Sequence, residues 1–248
     1  MQIPFGDAMK RFIPLVLSFI ISLMVFLMPW GFSFYPKEEV QEAENTVMIP
    51  PKKEFLLMIE EKEEPILFLH TELTLNNAKI RFLPPSYKAK DTDGLLPLYD
   101  ISKNGGLKYA VRALNKSPSF NIELFASADT KTVRNILKIF GSCDFTLDLD
   151  IKGRQDEIFF KKGRTLLNGE NALLILEAAA FPPLLKRQEI FTCAVCSLLN
   201  QRGEISPAQR EFIFTSLANG RESSLSAKDM LNFRKYKIFT EGFTFTLS

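Results

Sequence analysis

The chain has 248 residues, 31 Lys+Arg against 29 Asp+Glu, one His and three Cys, with 46% hydrophobic residues. This composition excludes a disordered chain, and the near-neutral balance gives no support to a nucleic-acid partner, which usually meets a basic face. Three cysteines are too few for a disulfide scaffold, and a single histidine excludes a multi-histidine metal centre.

The first element is an apolar run. Residues 12–30 read FIPLVLSFIISLMVFLMPW, 19 consecutive residues without a charge. At 1.5 Å per residue they span about 28 Å, close to a bilayer core. Lys10 and Arg11 precede the run. Positive flanks stay on the cytoplasmic side, so the remainder is expected outside the membrane. A cleaved signal peptide would have a shorter apolar region and a small-x-small cleavage site. The run here is long and continues into PWGFSFYPK. The expected organisation is a cytoplasmic N-terminus (1–11), a transmembrane anchor (12–30), a charged, proline-bearing stalk (31–54) and an extracytoplasmic domain (55–248), in a single-pass protein of the cell membrane.

Past the stalk, FLLMIEE (55–61), PILFLHTEL (65–73) and IRFLPP (80–85) predict three strands, with a turn at LNNAK (75–79). Asn104-Gly105-Gly106 open a helix over LKYAVRALNK, where Leu107, Ala110, Val111 and Leu114 have helical spacing. NIELFAS (121–127) alternates as a strand. Asp129 or Thr130 caps a helix over TKTVRNILKIF that Gly141 ends. DFTLDLDI (144–151) alternates strictly, with Phe145, Leu147, Leu149 and Ile151 on the buried face. EIFFKKG (157–163) predicts a strand and turn, and LNGENALLILEAAAF (167–181) a helix from Asn168 to the break at Pro182-Pro183. LLKRQEIFTCAVCSLLNQ (184–201), PAQREFIFTSLAN (207–219) and SAKDMLNFRKY (226–236) predict three more helices, the last capped by Ser226. The tail FTFTLS suits an edge strand. Strands interleaved with helices predict an α/β domain with a mixed sheet.

Cys193 and Cys196 form a C-x-x-C inside the 184–201 helix, where a pair of small buried residues is expected rather than a redox pair at a helix start. His70 falls within a strand and reads as a structural histidine. No P-loop or Gly-x-Ser-x-Gly occurs.

From about Phe55 to Leu231 the order of elements and four local strings resemble the LytR–CpsA–Psr (LCP) family of cell-wall proteins. LYDISKNGGLKYAVRALNK resembles the family's Tyr-x-Gly-Gly segment and its following helix. NIELF to GSCDFTLDLDI resembles its strand, helix and Gly-Gly-Val-Asp turn. FFKKGRTLLNGENALLIL resembles its Gly-x-x-Leu-x-Gly-x-x-Ala-Leu segment, and KRQEIFTCAVCSLL its Arg-Gln helix. The resemblance implies a mixed sheet flanked by helices, an apolar tunnel for a polyprenyl chain, and arginines over a pyrophosphate at its mouth. Typical members transfer a glycopolymer from that carrier to peptidoglycan. Guanidinium groups suit this role because they grip phosphate oxygens in pairs.

The sequence departs from the family where that chemistry sits. Pro85 and Ser86 stand where Arg and Asp of a Pro-Arg-Asp are usual. Glu177 and Ala179 stand where an Arg-x-Arg is usual, and Lys62 and Glu64 where an Arg-x-Asp is usual. The resemblance leaves Arg187, Gln188, Lys62, Glu64, Arg81, Lys88 and Asn104 as candidate ligand contacts, with no assigned catalytic residue and no metal ligand. The expected function is an envelope domain that binds a polyprenyl (pyro)phosphate or similar lipid-like ligand with weak or no catalysis. One alternative is an active phosphotransferase working through Lys62, Glu64, Arg81 and Arg187, with magnesium as its cofactor and peptidoglycan or a wall glycopolymer as its partner. Another is a structural partner in an envelope assembly, its tunnel filled by Phe side chains.

Overall fold

The structure, a computed structural model, describes residues 52–92, 94–153, 157–178, 181–229, 238 and 242–247. The expected anchor at 12–30 and nearly all of the stalk lie outside the described residues, within or next to a unit spanning Met1–Met48; Ile49–Ser248 form a second compact unit. Among the described residues no helix is long and apolar enough to cross a membrane.

Alternating apolar residues build the sheet. β1 (Lys53–Glu61) buries Leu56 and Met58 on one face and Ile59 on the other. It turns through Lys62 and Glu63, both at positive φ, into the antiparallel β2 (Glu64–Leu73). Two positive-φ residues match the right-handed twist of a tight hairpin. β3 (Asn77–Leu83) pairs antiparallel with β2. β4 (Lys88–Lys90) and β5 (Leu95–Pro97) form a small hairpin. Next come α1 (Leu98–Gly105) and α2 (Leu107–Leu114), joined at Gly106. β6 (Leu124–Asp129) lies parallel to β1. α3 (Thr130–Lys138) follows directly: the Asp129 carboxylate accepts the Thr132 N–H at 2.7 Å, as a helix start requires, and Gly141 ends the segment at φ +77°.

β7 (Ser142–Leu147) and β10 (Gly163–Asn168) form a two-stranded ribbon, and β8 (Ile151–Lys152) and β9 (Ile158–Phe160) another. A single turn, α4 (Leu174–Glu177), precedes the long α5 (Leu184–Gln201). α6 (Pro207–Ala218) starts with a reciprocal cap between Ser206 and Gln209. β11 (Thr244–Leu247) then lies parallel to β3. The central sheet has the order β11-β3-β2-β1-β6 and is mixed. One face, with Leu56, Met58, Phe68 and Leu83, is covered by α1 and α2. The other, with Ile59, Leu67 and Leu69, is covered by α3, α5 and α6. The expected mixed sheet flanked by helices is therefore present.

Three local expectations need correction. DFTLDLDI (144–151) is not one strand: the β7–β10 ladder ends at Leu147, the Asp150 carboxylate accepts the Lys162 N–H at 2.7 Å, and Ile151 restarts pairing with β9. The helix expected over 167–181 shrinks to α4. Pairing with β7 claims residues 163–168, and the Asn168 side chain accepts the N–H groups of Glu170 and Asn171, a turn that competes with helix. LYDISKNG, to which the apolar spacing assigned no element, forms α1, whose Leu98 and Ile101 are buried against the sheet. Most of the helix expected from Ser226 lies outside the described residues.

Candidate functional site

The β1–β2 hairpin and the starts of α1 and α5 meet at one end of the sheet. Here Glu64, first in β2, accepts hydrogen bonds from the Tyr99 hydroxyl and from Lys103 Nζ, the latter at 2.8 Å. Tyr99 and Lys103 lie one turn apart on α1, so they present their polar ends together. These donors hold the Glu64 carboxyl below its ordinary value, Lys103 contributing most. The Tyr99 N–H donates to the Pro85 carbonyl at 2.9 Å, which sets Pro85 beside this group. Asn104 follows Lys103, exposed in the last turn of α1. From α5, the buried Gln188 donates to the Ile66 carbonyl at 2.6 Å and ties that helix to the start of β2. Arg187 Nη1 donates to the Leu176 carbonyl at 2.7 Å, while its Nε is buried without a partner. Burial pushes the Arg187 guanidinium below its ordinary value.

Among the candidate contacts, then, the structure brings Glu64, Asn104 and Gln188 to one end, with Pro85 beside them. Arg187 is there too, its Nη1 turned to a carbonyl. Arg81 stands opposite His70, six residues along β2 from Glu64 and about 20 Å away. Its guanidinium lies 4.7 Å over the Phe120 ring. Lys88 is exposed on β4, opposite Pro97. Glu177, standing where an arginine was sought, is paired with Arg134 at 2.7 Å. Lys103, Tyr99 and Arg134 were missed by the sequence reading. The Tyr-x-x-x-Lys spacing on a short helix is the only signal that could have found the first two.

Lys62, in the hairpin turn two residues from Glu64, belongs to a separate cleft at the same end of the sheet. It lines this cleft, of about 360 Å³, at the ends of β1 and β6, with Glu60, Ser127, Asp129, Thr132 and Arg221. Glu60 is 5% exposed. Its Oε2 is 3.1 Å from Arg221 Nη2, and its Oε1 is buried without a partner. Burial pushes the Glu60 carboxyl up, outweighing the nearby guanidinium. A second cleft of about 290 Å³ lies between β7 and α5, with Phe145, Asp148, Lys186 and Glu189 at its walls. Between the sheet and α5 the interior is filled: Phe191, Ala194, Leu198 and Leu67 have no exposed surface. Cys193 and Cys196 are free thiols within α5; burial pushes Cys196 up to about 12, far from a reactive thiolate.

A magnesium ion prefers about six oxygens in octahedral array. The Glu64 carboxylate is already bound to an ammonium and a phenol, and that set does not fit the ion.

No family model matches the sequence, and no curated protein matches it. Solved structures do. A transcription regulator, by its description, from Eubacterium siraeum aligns over 86% of this chain and 89% of its own, with a TM-score of 0.68 and 12% identity. B. subtilis TagV aligns over 79% of this chain and 84% of its own, with a TM-score of 0.57 and 18% identity. TagT bound to LIIa-WTA aligns over 80% and 78%, with a TM-score of 0.62 and 13% identity. TagV and TagT are LCP proteins. The fold is LCP-like. At these identities the likeness speaks of the fold alone, and the LCP-like chain has to be judged on its own side chains.

Proposed function

We propose that this chain is an LCP-like domain of the bacterial cell envelope, membrane-anchored and extracytoplasmic, that holds a wall glycopolymer or its polyprenyl-phosphate carrier without transferring it. One observation carries the reading. Three cationic groups are engaged by the chain itself: Lys103 by Glu64, Arg134 by Glu177, and Arg187 by the Leu176 carbonyl. Cleaving a pyrophosphate adds charge to the leaving group, and loss of a single preorganised donor costs about 100- to 1000-fold in rate. Here Pro85 supplies no charge and Glu177 supplies the wrong sign. The likeness to TagT, solved with LIIa-WTA, supports a wall glycopolymer as the partner class. The filled interior beneath α5 favours a second reading, a structural partner in an envelope assembly that takes up no lipid chain.

The test uses the full chain with a labelled polyprenyl-pyrophosphate glycan and peptidoglycan as acceptor. Binding without turnover is expected, and a Pro85→Arg, Glu177→Arg double variant should bind the labelled lipid more tightly. Turnover by the unmodified chain overturns the non-catalytic reading. Absence of binding in both proteins supports the structural-partner reading instead.

A further inference from the structure

The far end of the β1–β2 pair carries a group of side chains that the proposed function does not use. Glu54 and Glu72 stand directly opposite each other in the antiparallel register, and His70 lies two residues before Glu72 on the same face of β2. One ligand atom from each of the three lies within 4.8 Å of the others. His70 Nε2 is 2.8 Å from Glu54 Oε2, which also accepts the Asn121 N–H at 2.8 Å. That N–H fixes the carboxylate in place. Glu54 and His70 are buried, and Glu72 is partly open to solvent.

The space between the two carboxylates already holds a cation. Lys52 Nζ bridges Glu54 Oε1 at 2.9 Å and Glu72 Oε2 at 3.0 Å. Its side chain is 48% exposed, so the ammonium can swing into water at little cost. We infer that Glu54, His70 and Glu72 form a binding site for a zinc-class divalent cation, for which Lys52 is the resident stand-in.

The ligand chemistry selects the class. Imidazole favours zinc and its first-row neighbours, whereas calcium takes six to eight oxygens and magnesium an octahedral oxygen shell. Two carboxylates neutralise one divalent ion. Three protein ligands leave a fourth, water-filled position, as in an open zinc site. Nε2 faces a carboxylate oxygen at 2.8 Å, so in the metal-free chain it donates its proton there, and a cation that takes this nitrogen displaces that proton. Opposing charge is nearby: Arg81 faces His70 across the β2–β3 register, with its guanidinium kept over the Phe120 ring, and Lys79 faces Glu72. The site is independent of the Glu64 end and of the LCP-like reading.

The experiment titrates zinc, with magnesium and calcium as controls, into the full chain by calorimetry, and repeats it with cobalt to read visible absorption. One saturable zinc site is expected, with no comparable magnesium or calcium binding. Glu72→Gln should weaken it at least tenfold. Lys52→Met, which removes the competing ammonium, should tighten it at least threefold. The cobalt complex should show the d–d bands of a low-coordinate site. His70→Asn should abolish the site, but its buried position endangers folding, so Glu72→Gln and Lys52→Met carry the decision. Binding unchanged by Glu72→Gln places the metal elsewhere, for example on Cys193, and overturns the assignment. So does Lys52→Met protein that takes up no zinc, or that takes up magnesium equally well.

Discussion

Gly106 joins α1 to α2 at φ +79° and ψ 175°, a region that side-chain-bearing residues almost never enter. A Cβ built there would lie 2.5 Å from Glu222 Oε2 and 3.1 Å from that carboxyl carbon. The same Oε2 accepts the Leu107 N–H at 2.7 Å, so Glu222 caps α2 from 115 residues away along the chain. Gly106→Ala therefore carries two costs. Backbone strain is worth about 1–3 kcal/mol. Displacing the carboxylate from the helix start is worth about 1 kcal/mol more. Together they come to about 2–4 kcal/mol, or a fall in melting temperature of about 5–15 °C for a domain of this size. Thermal unfolding followed by circular dichroism measures it, alongside Glu222→Ala and the double variant. Glu222→Ala alone should lose only the cap. The double variant should be less destabilised than the sum, because the carboxylate that the new methyl meets has gone. Lys103→Ala, on an exposed ammonium, should shift the melting temperature far less than Gly106→Ala. A Gly106→Ala protein melting within about 1 °C of the parent, or strict additivity with Glu222→Ala, would refute the reasoning.

Two more expectations follow from single contacts. Because burial raises the Glu60 carboxyl, the folded chain holds that proton more tightly than the unfolded chain, so its contribution is present below the ordinary value of 4.5 and is lost as pH rises through the raised value. Glu60→Gln should therefore raise the melting temperature near neutral pH and lose that advantage by about pH 4; a pH-independent difference in melting temperature contradicts this. Asn200 on α5 accepts the Phe245 N–H at 2.8 Å and donates to the Phe245 carbonyl at 2.7 Å. Asn200→Ala should cost about 1–3 kcal/mol and speed amide exchange in β11 first, and unchanged protection at Phe245 would show that the strand is held by its ladder alone.

Periodicity and capping were strong enough to be read locally. The 184–201 helix appears with the bounds its apolar positions suggest, and Asp129 starts and Gly141 ends the helical segment between them, as expected. Each depends on neighbours within about four residues, and that information lies in one short string. Where a segment's partner lies far along the chain, the string was silent or misleading. Gly163–Asn168 pairs with β7, and that pairing, with the Asn168 turn, reduced an expected fifteen-residue helix to one turn. The site is the sharper case. Glu64, Asn104 and Gln188 were named from a resemblance, yet only folding shows that Tyr99 and Lys103 meet Glu64 and that Arg81 stands at the other end of the sheet. The Glu54–His70–Glu72 group exists only through the β1–β2 register, and the Glu222 cap on α2 only because the 220–224 segment returns to β6. Composition limited what this protein could be, and local patterns placed most of its helices and strands. Which charges are free and which are spent on the chain itself was decided by contacts between residues tens of positions apart, because electrostatic and hydrogen-bond energies depend on distances in space that no local string encodes.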